Sequence, residues 1–355
     1  MLPAFFRANV RRMRGYVPGE QPDSAEILKL NTNENPYPPS PRVARVLAEF
    51  PVHALRLYPD PLATAARQAI AEQFGVEPDW VLCGNGSDDL LTIVTRAFVD
   101  QGGTIISFQP GYLLYETLAD IQGARFRAVP FTEEWGIPPE PALYDGADLL
   151  FLANPNSPSG TVVSREVIAE LAAKVSCPLV VDEAYADFAE TSCADLVREY
   201  ENLIVVRTLS KSYSLAGIRF GYLIAQPPVV HGLIRVKDSY NCDALSIAVA
   251  EAAVRDPKHM QENVRRIQRT RRRVRDALAA LGFPSPDSRA NFLWCTSGPV
   301  DPRTLHAGLR AQGILVRLLD YKSYGVGVRI TIGTDEQMDR FLHAVRTIVN
   351  GGAPS

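Results

Sequence analysis

The sequence predicts an α/β protein built on a mostly parallel sheet with helices on both faces. Two short apolar runs, residues 179–181 and 203–206, are bounded by polar residues and are typical of strands in the interior of such a sheet. Segments with helical periodicity alternate with strand-like runs along most of the chain, which favours parallel pairing. At 355 residues, the chain is also long enough for a second domain.

The predicted elements follow one another in this alternation. In the first half they are helices at 5–13, 41–49 and 64–74, a strand at 80–83, a helix from Leu90, a strand at 104–108, a helix at 112–121, and strands at 124–129 and 148–153. A helical link begins at 244–255. The last third reads as a strand from Phe292, a helix at 302–312, strands at 314–317 and 328–332, and a helix at 335–349. This pattern predicts an N-terminal arm (1–40), a large domain (41–243) and a small α+β domain (244–355).

Composition and charge exclude several classes of protein. A formal net charge of −3 argues against a general polyanion binder. The arginine-rich run at 263–278 forms, with the residues just after it, an apolar helical stripe of Val264, Ile267, Val274, Leu278 and Leu281, so its arginines are expected on the solvent face rather than on nucleic acid.

The five cysteines form no C-x-x-C pair and are expected to be reduced thiols. The histidines lack metal-ligand spacing, so no metal site is predicted. No apolar run approaches the roughly 18 residues that cross a bilayer, and no leader pattern opens the chain. A cytoplasmic protein without membrane contact is therefore expected.

A polar segment at 208–222 follows the second apolar run and has Lys211 at its centre. Around this lysine lie Ser210, Ser212, Ser214, Gly217, Arg219 and Gly221. The serine hydroxyls, the backbone at the glycines and the arginine cation could all approach one anionic ligand there. Lys211 is then either a solvated surface lysine or a lysine that forms a Schiff base with a carbonyl group.

The first apolar run ends on a carboxylate, Asp182. Pyridoxal 5'-phosphate chemistry needs such a group to keep the pyridine nitrogen protonated, and Tyr185, three residues on, could reach the cofactor phenolate. Asp182 could instead cap a helix.

A glycine turn opens the helix that contains Leu90, and such a turn presents unpaired N–H groups to a phosphate. Gly86, Ser87 and Asp88 are the candidates, although Ser87 or Asp88 could simply cap the helix. Nucleotide motifs fit worse, because no Lys-Ser/Thr follows this turn as a P-loop requires, and Asp89 stands at the third-glycine position of a dinucleotide fingerprint.

The motifs D-E-A-Y and S-K-S-Y-S-L-A-G-I-R-F-G-Y resemble those of the fold-type I pyridoxal-phosphate aminotransferases. From about Val10 to the C-terminal region, the chain resembles the histidinol-phosphate aminotransferase branch, including its Y-V-P-G and L-N-x-N-E-N-P segments. The resemblance implies a seven-stranded large-domain sheet, a homodimer, pyridoxal 5'-phosphate as cofactor, and Lys211, Asp182 and Tyr185 as catalytic residues.

The resemblance implies further contacts. Ser210 and Arg219 would bind the cofactor phosphate, Tyr112 would stack on the pyridine, and Tyr58 would reach the cofactor of a partner subunit. Where relatives have asparagine directly before proline, this chain has Ser157 preceded by Asn156, so either could contact the cofactor phenolate.

Substrate contacts are expected from Tyr16, Asn33, Arg317 and Arg329. An arginine in an apolar strand, such as Arg329, needs an anion, which could be substrate or an internal acid.

The expected reaction is transfer of an amino group from L-histidinol phosphate to 2-oxoglutarate, giving imidazole acetol phosphate and L-glutamate in histidine biosynthesis. An aminotransferase for aromatic amino acids and threonine-phosphate decarboxylase are alternatives that share most of these residues. A cofactor-binding regulatory domain is disfavoured, since the short arm holds no DNA-binding module.

Overall fold

The strands of the chain form two sheets, of seven and four strands, in a computed structural model that describes residues 2–24, 26–321 and 324–351. The strands are β1 (Leu28–Leu30), β2 (Val81–Gly84), β3 (Thr104–Gln109), β4 (Arg125–Pro130), β5 (Leu149–Ala153), β6 (Leu179–Asp182), β7 (Leu203–Thr208), β8 (Gly221–Ile224), β9 (Phe292–Cys295), β10 (Ile314–Asp320) and β11 (Val326–Thr331).

The helices are α1 (Ala8–Arg12), α2 (Pro41–Glu49), α3 (Thr64–Phe74), α4 (Ser87–Phe98), α5 (Leu114–Gln122), α6 (Arg165–Lys174), α7 (Pro227–Ile234), α8 (Ala244–Val254), α9 (Pro257–Ala280), α10 (Pro302–Ala311) and α11 (Asp335–Val349).

The large sheet has the strand order β2-β8-β7-β6-β5-β3-β4. Each pair of adjacent strands in the order β7-β6-β5-β3-β4 is parallel. The strand β8 runs antiparallel to both of its neighbours, β2 and β7. This confirms the predicted mostly parallel sheet. The carboxyl ends of β2, β3, β5, β6 and β7 therefore meet at one edge, where open α/β sheets bind ligands.

Alternate residues of the central strands face opposite layers of helices. Val180 and Ile204 belong to a core shared with α4, α5 and α7, whereas Val181 and Val205 belong to a core shared with α3, α6 and α8. Because both faces are covered, these strands are apolar at successive positions, which is the signal that predicted them.

The small sheet has the order β1-β10-β11-β9, with β1 parallel to β10 and the other pairs antiparallel. The strand β1 belongs to the predicted arm, yet it pairs with a strand nearly 300 residues further along the chain. The division at residues 40 and 243 stays a prediction. Residue 1 and residues 352–355, which the outer domain bounds include, lie outside the described part of the chain.

Some sequence expectations need correction. The first helix is shorter than predicted, and α6, α7 and β8 were missed. The expectation that the arginines of α9 lie on its solvent face is wrong for Arg271, which is buried and donates to the carbonyl oxygen of Ala290. Among the described residues, no helix combines the length and the apolar character that crossing a membrane requires.

Candidate active site

A cavity of about 450 Å³ lies at the carboxyl edge of the large sheet, between it and the small sheet. Most of the predicted site residues line it: Tyr16, Asn33, Ser87, Asp88, Tyr112, Ser157, Asp182, Tyr185, Ser210, Lys211, Arg219, Arg317 and Arg329. Gly86, Tyr58 and Asn156 do not.

Lys211 follows β7 and extends into this cavity. Its Nζ donates to the carbonyl oxygen of Thr32 at 3.2 Å and lies 5.9 Å from the centroid of the Tyr185 ring. The side-chain amide of Asn35 donates to the carbonyl oxygens of both Lys211 and Ser212, each at 3.1 Å. The side chain is thus half-buried and hydrogen-bonded, and its backbone is held, unlike that of an ordinary surface lysine.

Asp182 is the last residue of β6 and is buried, with 5% of its surface exposed. Its carboxylate accepts the phenol hydrogen of Tyr115 at 2.9 Å and the backbone N–H of Ala184 at 3.2 Å. Burial raises the pKa of Asp182 to about 6, because these neutral donors offset only part of the loss of hydration. A carboxylate in this state favours a cationic neighbour in the cavity.

Sequence reasoning missed Tyr115. It lies three residues after Tyr112, and the two rings are in edge contact, with centroids 5.5 Å apart. The helical spacing of the two tyrosines could have indicated a shared face. Nothing in the sequence marked Asp182 as the partner of Tyr115.

A corner of the site rich in hydrogen-bond donors forms where α4 begins beside β8. Gly86 caps α4 with a φ of 85°, a conformation that favours glycine. A Cβ on Gly221 would lie 2.6 Å from the backbone N of Ser87, so the close approach of the turn and the strand requires glycine there.

Arg219 completes this corner. Its Nη1 donates to the Ser210 hydroxyl at 3.3 Å, and that hydroxyl also accepts from Thr208 at 2.9 Å. Its Nη2 lies 3.8 Å from a carboxylate oxygen of Asp88. Helix N–H groups, hydroxyls and one guanidinium together suit a phosphate group.

Two tyrosines line the cavity together with Lys211 and Arg219. The phenol of Tyr112 donates to Asp88 at 3.3 Å, and burial holds the pKa of Tyr112 well above its ordinary value, so the ring stays neutral. The phenol oxygen of Tyr185 accepts from the amide of Asn33 at 2.9 Å. Tyr16 covers Tyr112 from the arm, with ring centroids 6.0 Å apart.

The small sheet contributes two arginines. Arg329 donates to the Ser157 hydroxyl at 3.0 Å and to the carbonyl oxygen of Asn31 at 3.2 Å, while its Nε is buried without a described partner. Arg317 donates to the carbonyl oxygens of Val17 and Pro18 in the arm. Within the described residues, neither guanidinium forms a salt bridge, so the internal-acid alternative for Arg329 finds no support there.

Asn156 and Ser157 point in different directions. The Asn156 amide is buried and donates to the Pro110 carbonyl at 3.1 Å and to the Ser159 hydroxyl at 2.9 Å. Ser157 lines the cavity instead. Of the two residues, Ser157 is therefore the better placed to contact a ligand.

Tyr58 lies outside the cavity of its own chain. It is 82% exposed and stacks on Tyr240, with ring centroids 4.5 Å apart. A role for Tyr58 in catalysis would require a second copy of the chain.

This fold and this site define an aminotransferase, and the sequence model of aminotransferase class I and II matches residues 25–345. The chain is 49% identical over 336 residues to the histidinol-phosphate aminotransferase of Rhodopirellula baltica. This match covers 94% of this chain and 93% of that relative. The Geobacter sulfurreducens protein of the same name is 44% identical over 352 residues, and the match covers 98% of this chain and 100% of that relative. The chain belongs to the histidinol-phosphate aminotransferase family.

Solved structures share the fold. Histidinol-phosphate aminotransferase from Sinorhizobium meliloti, in complex with pyridoxal-5'-phosphate, superposes with a TM-score of 0.88 at 24% identity and covers 99% of both chains. Aspartate aminotransferase from Thermus thermophilus gives a TM-score of 0.81 at 20% identity and covers 98% of this chain and 100% of that one. The fold is therefore that of the fold-type I aminotransferases.

Proposed function

We propose that this protein transfers the amino group of L-histidinol phosphate to 2-oxoglutarate, with pyridoxal 5'-phosphate as cofactor, in histidine biosynthesis. The observation that carries the proposal is one cavity that holds Lys211 and buried Asp182 together with two arginines that form no salt bridge among the described residues. The first pair suits amine chemistry on a pyridine cofactor, and the second pair suits an anionic substrate.

The donor set of the cavity fits pyridoxal 5'-phosphate. Asp182 would meet the ring nitrogen, since its buried carboxylate has only neutral donors. Tyr112 would cover one ring face, and Ser210, Arg219 and the amides that follow Gly86 would hold the phosphate. When bound, this cofactor withdraws electrons from the substrate carbon that bears the amine.

Lys211 would then move the proton. Among the described residues, its Nζ donates one hydrogen bond, to the carbonyl oxygen of Thr32, so it can leave this contact and act as a base at the substrate carbon. Tyr185 and Asn33 would orient the cofactor oxygen beside it, and Ser157 is a further candidate for that contact, with Asn156 behind it.

Arg329, Arg317 and Tyr16 would bind the phosphate of the amino donor. A phosphate monoester carries close to two negative charges and three acceptor oxygens, enough for two guanidinium groups and a phenol. For 2-oxoglutarate, which carries no phosphate, a carboxylate would take the same place.

The proposal includes a cytoplasmic homodimer with shared active sites. The dimer is supported by an exposed apolar stretch before α3, in which Val52, Leu55, Leu57 and Tyr58 are each more than half exposed. Apolar side chains concentrated in this way are typical of a surface that a partner covers.

A panel assay tests the proposed reaction. The purified protein is given histidinol phosphate, phenylalanine, tyrosine or threonine phosphate, each with 2-oxoglutarate, and glutamate is measured. Fastest turnover of histidinol phosphate is the expected result. Preference for phenylalanine or tyrosine would indicate the aromatic branch, and carbon dioxide release from threonine phosphate would indicate the decarboxylase.

A further inference from the structure

A largely buried cluster of charges, formed by residues that do not line the cavity, links the segment after β6 to the loop that carries Lys211. The guanidinium of Arg207, on β7, lies 2.7 Å from a carboxylate oxygen of Asp187 and 3.7 Å from one of Glu183. The side chains of Arg207 and Glu183 are 7% and 1% exposed, and that of Asp187 is 19% exposed. None of these groups takes part in the chemistry described above.

The two carboxylates of this cluster accept hydrogen bonds from different segments of the chain. Glu183 accepts hydrogen bonds from the Ser192 hydroxyl at 2.7 Å and from the backbone N–H of Cys193, neither of which belongs to the Lys211 segment. Asp187 accepts the hydroxyl of Ser212, the residue next to Lys211. Asp187 is therefore the acid that reaches the lysine segment.

The segment Lys211–Ser212 is also held by Asn35. The amide of Asn35 donates to both carbonyl oxygens of the segment, and its own oxygen accepts from the N–H of Tyr37 at 3.0 Å. A hydrogen bond to an ionised carboxylate is stronger than one between neutral groups. The hydrogen bond from Ser212 to the Asp187 carboxylate is therefore the stronger kind, whereas the Asn35 amide contacts to the same segment are between neutral groups.

We propose that Asp187 is a positioning residue that acts on Lys211 through the Ser212 hydroxyl, with Arg207 keeping the Asp187 carboxylate in place. The inference rests on the proposed function, because it concerns the lysine that forms the covalent bond to the cofactor. The long Lys211 side chain reaches one position reliably only if its backbone is fixed. Displacement of a reacting group by about 1 Å can slow a reaction by roughly a hundredfold.

The test compares two serine variants of the full-length protein. Ser212→Ala removes the hydrogen bond to Asp187, and Ser192→Ala removes the equivalent hydrogen bond to Glu183 in the same cluster. Two quantities are measured besides thermal stability. One is the rate at which cofactor-free protein forms borohydride-trappable pyridoxal 5'-phosphate on Lys211, and the other is kcat and KM for histidinol phosphate.

Ser212→Ala should slow both the attachment and kcat by about tenfold or more, with KM changed less than about threefold. Ser192→Ala should leave the attachment rate and kcat near those of the wild type. Asp187→Asn should act in the same direction as Ser212→Ala. Because Asp187→Asn also removes the ion pair with Arg207, Ser212→Ala, which keeps the ion pair, is the decisive variant.

Two results would overturn the inference: wild-type rates for Ser212→Ala, or an equal loss for Ser192→Ala. A wild-type protein that attaches no cofactor to Lys211 would instead overturn the proposed function, and the inference with it. The two failures are therefore distinguishable.

Discussion

Arg317 and Arg329 lie directly opposite each other on the antiparallel strands β10 and β11, and both line the cavity that contains Lys211. Like charges at opposed positions destabilise a sheet. In the described part of the chain, their guanidinium groups donate to carbonyl and hydroxyl oxygens rather than to carboxylates. The arrangement is therefore one that a bound dianion would stabilise.

Lys211→Ala should leave a folded protein that cannot hold pyridoxal 5'-phosphate covalently, because Lys211 lines the same cavity as Asp182 and Tyr185. Borohydride reduction followed by peptide mapping checks this. Lys174→Ala, which changes a half-exposed lysine paired with Glu170, is the matched control and should keep the modification. Reduced cofactor on another lysine of the wild type would contradict the assignment of Lys211 as the lysine that holds the cofactor.

Tyr58 should act across a subunit interface, because it is exposed and lies outside the cavity of its own chain. Chains carrying Tyr58→Phe and chains carrying Lys211→Ala should each have little activity alone. Refolded together, they should regain part of it, since one site of each mixed dimer then combines an intact Lys211 with an intact Tyr58. No recovery, with mixed dimers demonstrated by mass spectrometry, would exclude the shared site.

Asp182 should make the stability of the cofactor-free protein depend on pH. Burial raises its pKa from 3.8 to about 6, so folding favours the protonated form. This contribution, roughly 3 kcal/mol, is fully present below pH 3.8 and is lost as the pH rises through 6. The wild type should therefore lose stability relative to Asp182→Asn over this window.

Urea unfolding of both proteins between pH 4 and pH 8 measures this difference. A comparison of the two curves cancels the titration of other carboxylates. The difference should level off above about pH 7 and shrink when cofactor is bound, since a cationic ring then compensates the ionised carboxylate. Parallel curves across the whole range would contradict the prediction.

Much of the fold could be predicted because its signals are local. Buried parallel strands are apolar at successive positions, and polar residues such as Asp182 directly after such a run mark the carboxyl edge. The three-residue strand β1 is too short to show such a signal, and it pairs with β10, nearly 300 residues further along the chain. The burial of Arg271 likewise depends on the distant Ala290 carbonyl.

The candidate site shows the same limit. Residue types indicated which groups could serve the chemistry, and the cavity brings most of them together. The choice between Asn156 and Ser157 depends on how one loop packs against Pro110, and the Tyr115 contact to Asp182 depends on the position of α5 above β6. Such relationships follow from tertiary packing rather than from local sequence.

Arg317→Ala should reduce the specificity constant for histidinol phosphate by about ten- to hundredfold, because charged hydrogen bonds cost roughly 1.5–3 kcal/mol each when one partner is removed. Turnover of phenylalanine, if any, should stay nearly unchanged, since a single carboxylate is satisfied by Arg329. Arg317 also holds the arm at Val17 and Pro18, so Arg310→Ala, which frees the arm at Glu20 without touching the cavity, is the matched control. Steady-state kinetics with both donors decide the matter. Equal losses for both donors, or an equal loss in Arg310→Ala, would show that Arg317 serves the arm rather than the phosphate.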